Sequence, residues 1–322
     1  MKGKGETEIV EVRLCPSCGS LNRQRTVDDR FDMGSRLAAF NDPASKDFAW
    51  LKRKWGDEGK EAPRFAYSTC RDCGLVHTEA YPDDAALSGL YAGLSDNMEM
   101  VQPGARQRTQ FEYSKKIKAR GPLKAKYLEI GPDTGLFVKE AISGLVSSGT
   151  QFSGFAFLEP NVSAHKALCG LDLPAPIEVS SSLSLAQVDG PFSVAVLIHV
   201  LDHLSRPQNL LREISAKMVD GGQIVIVTHN QRSAIARAMG KSWPGYHAQH
   251  PQLYSKATLA RSLTAAGFAD VKVTNTKNWI NLGALFSMLT QTIGFGPRSL
   301  GALGRLELGI GLGNMIAVAN RG

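Results

Sequence analysis

From residue 126 onward the chain alternates two patterns: short unbroken apolar runs, and stretches whose apolar residues recur every three or four positions. The runs at 126–130, 152–158, 193–198 and 223–228 read as strands buried on both faces. Between the last two, Leu210, Leu211, Ile214 and Met218 recur at helical spacing, and Gly221-Gly222 reads as the end of that helix. Ser255 is a good N-cap for a second helix carrying Leu259 and Leu263, which Gly267 ends. Such alternation predicts a parallel sheet covered by helices on both faces. Residues 271–275 and 314–320 supply two more strands. Residues 279–295 carry no charge, yet Asn281, Thr290, Gln291 and Thr292 make them too polar for a membrane span. That segment reads as a substrate lid or dimer face, with ordinary core and a membrane-interface helix as alternatives.

A 322-residue chain with 43% hydrophobic and 21% charged residues can bury a full core as one large or two ordinary domains. Its N-terminus is polar, with no apolar signal-peptide core, so a cytoplasmic location is expected. The net charge of +7 is concentrated in residues 106–126, where eight basic side chains face only Glu112 and the rest of the chain is balanced. The segment suits a solvated helix, or a patch for a phosphate-bearing substrate or an anionic membrane surface. Sparse aromatic residues there disfavour nucleic acid.

Four of the five cysteines form two turns, Cys15-Pro-Ser-Cys18-Gly19 and Cys70-Arg-Asp-Cys73-Gly74. Two such turns aim four thiolates at one point, the donor set of a tetrahedral structural zinc site, with a redox dithiol as the alternative. Their separation exceeds the roughly 15 to 20 residues of a common zinc ribbon, so a helical insertion is expected at 30–60. Cys169, in an apolar stretch, reads as a small core residue.

The apolar run ending at Ile130 breaks at Gly131 into a turn that ends with Gly135, where a helix starts. A strand, glycine turn and helix of this kind serve NAD, FAD and S-adenosylmethionine (SAM) alike. Three segments in order narrow that choice: residues 126–137, the run 155–159 ending in Glu159, and 192–204 with His199-Val-Leu-Asp-His203. Together they resemble the class I SAM-dependent methyltransferases. The cysteine turns, Tyr81-Pro82 and Leu90-Tyr91 ahead of that core resemble the zinc-ribbon-bearing enzymes among bacterial sugar and secondary-metabolite methyltransferases.

The resemblance implies an α/β fold: a Rossmann-like doubly wound sheet with a small N-terminal zinc-binding domain, closed by an antiparallel pair of strands. It divides the chain into a zinc-ribbon-like domain with a helical insertion (1–100), a basic linker helix (101–125) and a methyltransferase domain (126–322) with an apolar insertion near 278–312. The zinc ligands would be Cys15, Cys18, Cys70 and Cys73. The SAM contacts would come from Gly131, Pro132, Thr134 and Gly135 in the turn, and from Glu159 and Pro160 beside the ribose. His199 and Val200 would add contacts at the pocket mouth. Glu129 would order the turn through its amides or meet the SAM ammonium. Asp133 stands where the family usually has a third glycine, and would bind the ammonium, cap the helix or crowd the pocket.

On the acceptor side the resemblance points to His250 as general base, with His247 second. Related sugar C-methyltransferases carry a His-Glu-His triplet where this chain reads His247-Ala-Gln-His250. The expected activity is methyl transfer from SAM to a small anionic, sugar-like or lipid-linked metabolite. A membrane surface and a homodimer are compatible partners. A non-catalytic scaffold with a degenerate SAM fold and a nucleic-acid methyltransferase are the alternatives. A radical SAM enzyme is disfavoured by the missing three-cysteine cluster motif.

Overall fold

A computed structural model describes residues 13–57, 62–91, 102–118, 125–147, 149–292 and 301–322. Arg120, Lys124 and the end of the uncharged run, 293–295, lie outside the described residues. The centre is a seven-stranded sheet of β4 (Ala125–Ile130), β5 (Phe152–Leu158), β6 (Ile177–Ser180), β7 (Phe192–Ile198), β8 (Met218–His229), β10 (Phe268–Asn275) and β13 (Asn314–Arg321). They lie in the order β10-β13-β8-β7-β4-β5-β6. β13 is antiparallel to both its neighbours, and the other pairings are parallel. This is the helix-covered, mostly parallel sheet that the alternating pattern predicts and the Rossmann-like α/β fold that the resemblance implies. The chain runs outward from β4 to β6, then returns to build β7 and β8 on the other side. The switch between β4 and β7 opens the crevice in which such sheets bind ligands.

Successive side chains of each strand feed opposite faces. Leu128, Ile130, Ala195, Leu197, Ile224 and Ile226 join one core with α7 (Pro207–Lys217) and α9 (Lys256–Ala265). Tyr127, Phe155, Phe157, Val194, Val196 and Val225 join another with α4 (Pro103–Ser114), α5 (Leu136–Ser147) and α6 (Val162–Cys169). Ser255 caps α9 in a reciprocal capping box with Thr258. Two readings need correction. Helix α7 stops at Lys217, and Met218 already begins β8, so Gly221-Gly222 lie in the strand beside an irregularity in its register with β7. Cys169 is exposed at the end of α6, turned about 100° away from buried Leu168.

The N-terminal part forms a second sheet of β1 (Arg23–Val27), β2 (Tyr67–Cys70) and β3 (Val76–Thr78), completed by β9 (Gln252–Leu253) from the C-terminal half. The insertion between its cysteine turns holds α1 (Leu37–Phe40) and α2 (Lys46–Lys54), and α3 (Asp84–Tyr91) follows the sheet. Phe40, Leu51, Trp55, Phe65 and Leu90 give these helices a core of their own, which Ala248 of the loop before β9 also enters.

Helix α4 packs along α5 and against β11 (Asn278–Asn281), whose hairpin partner is β12 (Glu307–Ile310). Its Tyr113 is buried, with the hydroxyl donating to Asn278 Oδ1 at 3.0 Å. Arg108 meets Glu307 at 3.1 Å and Lys115 meets Glu112 at 2.8 Å. The 278–312 segment thus contains this hairpin and α10 (Leu282–Thr292). No described helix is long and apolar enough to cross a membrane.

Candidate active site

The four cysteine sulfurs lie within 4.8 Å of one another, with Cys15 and Cys73 at 3.5 Å and Cys18 and Cys70 at 3.6 Å. Both turns are built alike. Gly19 and Gly74 take left-handed φ of 74° and 79°, and each donates its amide to the carbonyl of the first cysteine. A Zn–S bond of about 2.3 Å sets a tetrahedron edge of about 3.8 Å, so the sulfurs stand where zinc would hold them with little adjustment. Cys15, Cys70 and Cys73 pack into the same core as α7 and α9. Arg261 of α9 donates to the carbonyl of Cys73 at 2.8 Å. The cysteine cluster is therefore fixed directly on the α9 face of the central sheet.

At the carboxyl end of β4, Gly131, Asp133 and Gly135 take left-handed φ of 66°, 51° and 80°. A Cβ on Gly131 would sit 2.6 Å from Val200 Cγ2, and one on Gly135 would sit 2.8 Å from Leu171 Cδ1. Close packing and backbone sign both demand glycine there. Asp133 keeps the conformation a glycine would adopt, which Asp tolerates better than most residues. Its half-exposed carboxylate faces Arg106 of α4 at 3.9 Å, so it does not crowd the turn. Pro132 is buried under the turn and Thr134 is exposed on it.

Glu159 ends β5 across from this turn. One carboxylate oxygen accepts the amide of Asp133 at 2.9 Å, and the other accepts that of Asn161 at 2.8 Å. Burial raises its pKa while these two amides pull the other way. A carboxylate has about four acceptor sites, so capacity remains for two vicinal hydroxyls. Half-buried Pro160 turns the chain away behind it. Glycine turn, helix start and strand-end carboxylate fit SAM: amides toward its carboxylate, Glu159 toward its ribose.

Glu129 does not order the turn through its amides, the first of the two expected roles. It is 1% exposed and accepts the Tyr127 hydroxyl at 2.8 Å, with no bond to the turn's amides. Burial pushes its carboxyl up to about 8, and the nearby Glu159 adds to the rise that the Tyr127 bond opposes.

A group of imidazoles gathers at the carboxyl ends of β7 and β8. His199 follows β7 with φ 54°, and Asp202 and His203 sit in the short turn Leu201–His203. His229 is the last residue of β8. His250 reaches in from the loop before β9. Ring centroids lie 4.9 Å apart for His199 and His229, and 4.7 Å for His229 and His250 and for His203 and His250. His229 Nδ1 lies 2.6 Å from Asp202 Oδ2, so the carboxylate holds the Nδ1–H tautomer and leaves the Nε2 lone pair available. His250 Nδ1 donates to the Gly245 carbonyl at 3.0 Å, with the same result. Burial holds His199 down at about 3 and His203 at about 4, and puts His250 well below the ordinary range. Burial alone would raise Asp202, but the His229 hydrogen bond and surrounding imidazoles hold it well below.

His247 does not share this freedom. Its Nε2 lies 2.5 Å from the Asp57 carbonyl, and its Nδ1 accepts the Gln249 amide at 3.1 Å. With both nitrogens engaged, His247 ties the loop to the helical insertion and is placed as a positioning residue, contrary to the expected role as second base. The Tyr67 hydroxyl, 2.6 Å from the carbonyls of both His247 and His250, holds the same loop. Arg13 adds bonds to Pro251 and Gln252. The cysteine-bearing sheet thus sets where His250 stands.

The turn at 131–135, Glu159, His199 and Val200 come together at the switch point, and His250 joins them through His229. Sequence reading stops the strand at 228 and misses His229, one residue beyond. The signal was available, because Glu159 and His199 are also polar residues at strand carboxyl ends. Asn314 is missed as well. Its side-chain amide lies 3.2 Å from His199 Nε2 and 3.2 Å from Asn278 Oδ1, linking the site to Tyr113 and α4.

A family model described as a methyltransferase domain matches residues 105–273, a little over half of the chain. Solved structures with similar folds include an SAM-dependent methyltransferase from Thermotoga maritima, 16% identical over 67% of this chain and 89% of that one, with a TM-score of 0.42. The YcgJ protein of Bacillus subtilis is 12% identical over 66% and 97%, at 0.45. The CurJ carbon methyltransferase is 15% identical over 74% and 58%, at 0.40. No curated protein matches the sequence. The span of the family match takes in the glycine turn, Glu159 and every histidine of the cluster, and the chain belongs to the methyltransferase domain family.

Proposed function

We infer that the chain transfers a methyl group from SAM to a hydroxyl-bearing, sugar-like small metabolite, with His229 taking the acceptor's proton. The observation that carries this reading is the 2.6 Å pair of His229 and Asp202. It stands beside His199, whose neighbour Val200 packs against the SAM turn. SAM, when bound, supplies a methyl group on a positively charged sulfonium that leaves as a neutral thioether.

The chain's own residues do the rest. Gly131 and Gly135 admit the backbone close to the cofactor, and Glu159 accepts from its hydroxyls. Val200 and His199 form the wall between donor and acceptor. His229 Nε2 takes a proton from the acceptor as its nucleophile forms, and Asp202 stabilises the resulting imidazolium. His250 Nε2 faces the same space and positions the acceptor. Several imidazoles and a carboxylate suit hydroxyls better than an apolar acceptor. The anionic, lipid-linked part of the expectation gains no support from α4, where Arg106, Arg108 and Lys115 each face a carboxylate. Left-handed φ at all three alternate turn positions argues against a decayed scaffold.

The test is methyl transfer from labelled SAM to a panel of free and nucleotide-linked sugars, with wild type beside His229→Gln. Labelled product from wild type that falls at least about a hundredfold in the variant supports the reading. Equal product from both would remove His229 from it.

A further inference from the structure

The cluster that offers a base also has the makings of a second metal centre. One carboxylate oxygen of Asp202 and one nitrogen each of His203 and His250 lie within 4.8 Å of one another. One nitrogen of each ring is already held, which leaves Nε2 of both for an ion. His203 Nδ1 lies 3.0 Å from the Tyr91 hydroxyl, and His250 Nδ1 donates to the Gly245 carbonyl. Metal-bound histidines are oriented in this way, with the non-ligating N–H given to a neighbouring oxygen. Asp202 is 0% exposed, its Oδ2 is engaged by His229, and its Oδ1 is buried with no hydrogen-bond partner. A buried carboxylate oxygen without a partner is costly, and a cation would satisfy it.

We propose that Asp202, His203 and His250 bind a divalent transition-metal ion, whose remaining positions take the acceptor's oxygen. Two imidazoles and one carboxylate are the donors of a catalytic site with open positions, unlike the closed four-sulfur set at the cysteines. Bonds of about 2.1 Å place neighbouring donors roughly 3.0 to 3.4 Å apart, so donors within 4.8 Å close by about 1.8 Å at most. The overlapping group of His199, Asp202 and His229 is the weaker site, because His199 Nε2 faces Asn314 and His229 Nδ1 is spent on Asp202. The chemistry rests on the methyl-transfer reading. An acceptor hydroxyl on the ion gives its proton to His229 Nε2, and its oxygen, still on the metal, forms the new bond to carbon as the carbon–sulfur bond breaks. Asp202 thus holds the ion through one oxygen and the base through the other.

The test is titration of Co2+ into the metal-free, reduced full-length chain, followed by absorption and elemental analysis. Wild type is expected to bind two equivalents. One shows thiolate-to-cobalt charge-transfer bands, and the other shows only the weak bands of a nitrogen and oxygen set. His203→Gln and His250→Gln should each keep the thiolate bands, which also report folding, and lose the second equivalent. Saturation of wild type at one equivalent overturns the proposal, as does retention of two equivalents in both variants. SAM calorimetry on the same wild-type sample separates the two ideas. SAM binding with one cobalt removes the metal centre alone, and two cobalts without SAM binding removes the methyl-transfer reading.

Discussion

The proposed cofactor side and the proposed acceptor side of this molecule are built by different means. The cofactor side is a matter of backbone: three left-handed residues within five positions, and a carboxylate at the end of the adjoining strand bonded to two amides. The acceptor side is a matter of side chains, brought from the ends of two strands, a short turn and a loop that belongs to the cysteine-bearing sheet through β9. A local site is determined by nearby sequence. An assembled site depends on everything that orients its parts, so disturbing the cysteine-bearing sheet should disable the acceptor side first.

That difference gives the largest predicted effect. A structural zinc contributes about 10 kcal/mol or more in small modules; with zinc as the proposed ion at the four cysteines, a chelator or Cys70→Ser should lower the melting temperature by more than about 10 °C. Hydrogen exchange should rise at 76–78 and 252–254 well before 125–130, where β4 is central in the sheet. Equal loss of protection at both places would break the comparison. Next, His229→Gln should reduce kcat by about 10² to 10⁴ while leaving the SAM Kd unchanged. On the other side, Gly131→Ala must both clash with Val200 and hold φ of 66°, and should weaken SAM binding by roughly a hundredfold, about 2.7 kcal/mol. Its thermal stability should change less than that of Cys70→Ser.

A smaller effect concerns pH. Glu129 has its carboxyl pushed up from 4.5 to about 8 by burial. The folded chain therefore holds a proton that the unfolded chain has released. The stability from that proton is fully present below about pH 4.5 and is lost as pH rises through 8. Urea midpoints of wild type should fall across this window, and Glu129→Gln should flatten the fall. Smallest of all, Asp133→Gly should change the SAM Kd by less than about threefold, because glycine adopts that backbone conformation freely. A larger change would mean that the Asp133 carboxylate, beside Arg106, takes part in binding.

How far the sequence reveals these features follows the same division. Four of the five parallel strands, the turn at 131–135 and Glu159 are legible because each lies in one continuous segment, whereas β6 is only four residues long and half-buried and goes unread. The cysteine turns are legible because their chemistry repeats. The pairing of β9 with β3, by contrast, joins residues about 175 positions apart through a two-residue strand that no periodicity can announce. The resemblance ranks His250 ahead of His247 as base, but nothing in the sequence gives the physical reason. Only the Asp57 carbonyl on one and the free lone pair of the other separate them. The pairing of His229 with Asp202 needs the register of β7 against β8, which places their carboxyl ends side by side.

The most direct measurement is calorimetric titration of SAM into wild type, Glu159→Ala and His229→Gln. Separate cofactor and acceptor sides require that wild type and His229→Gln bind SAM alike, while Glu159→Ala loses at least about 2 kcal/mol of affinity, the strength of hydrogen bonds to a charged group. Wild-type affinity in Glu159→Ala, or equal loss in both variants, would contradict the account.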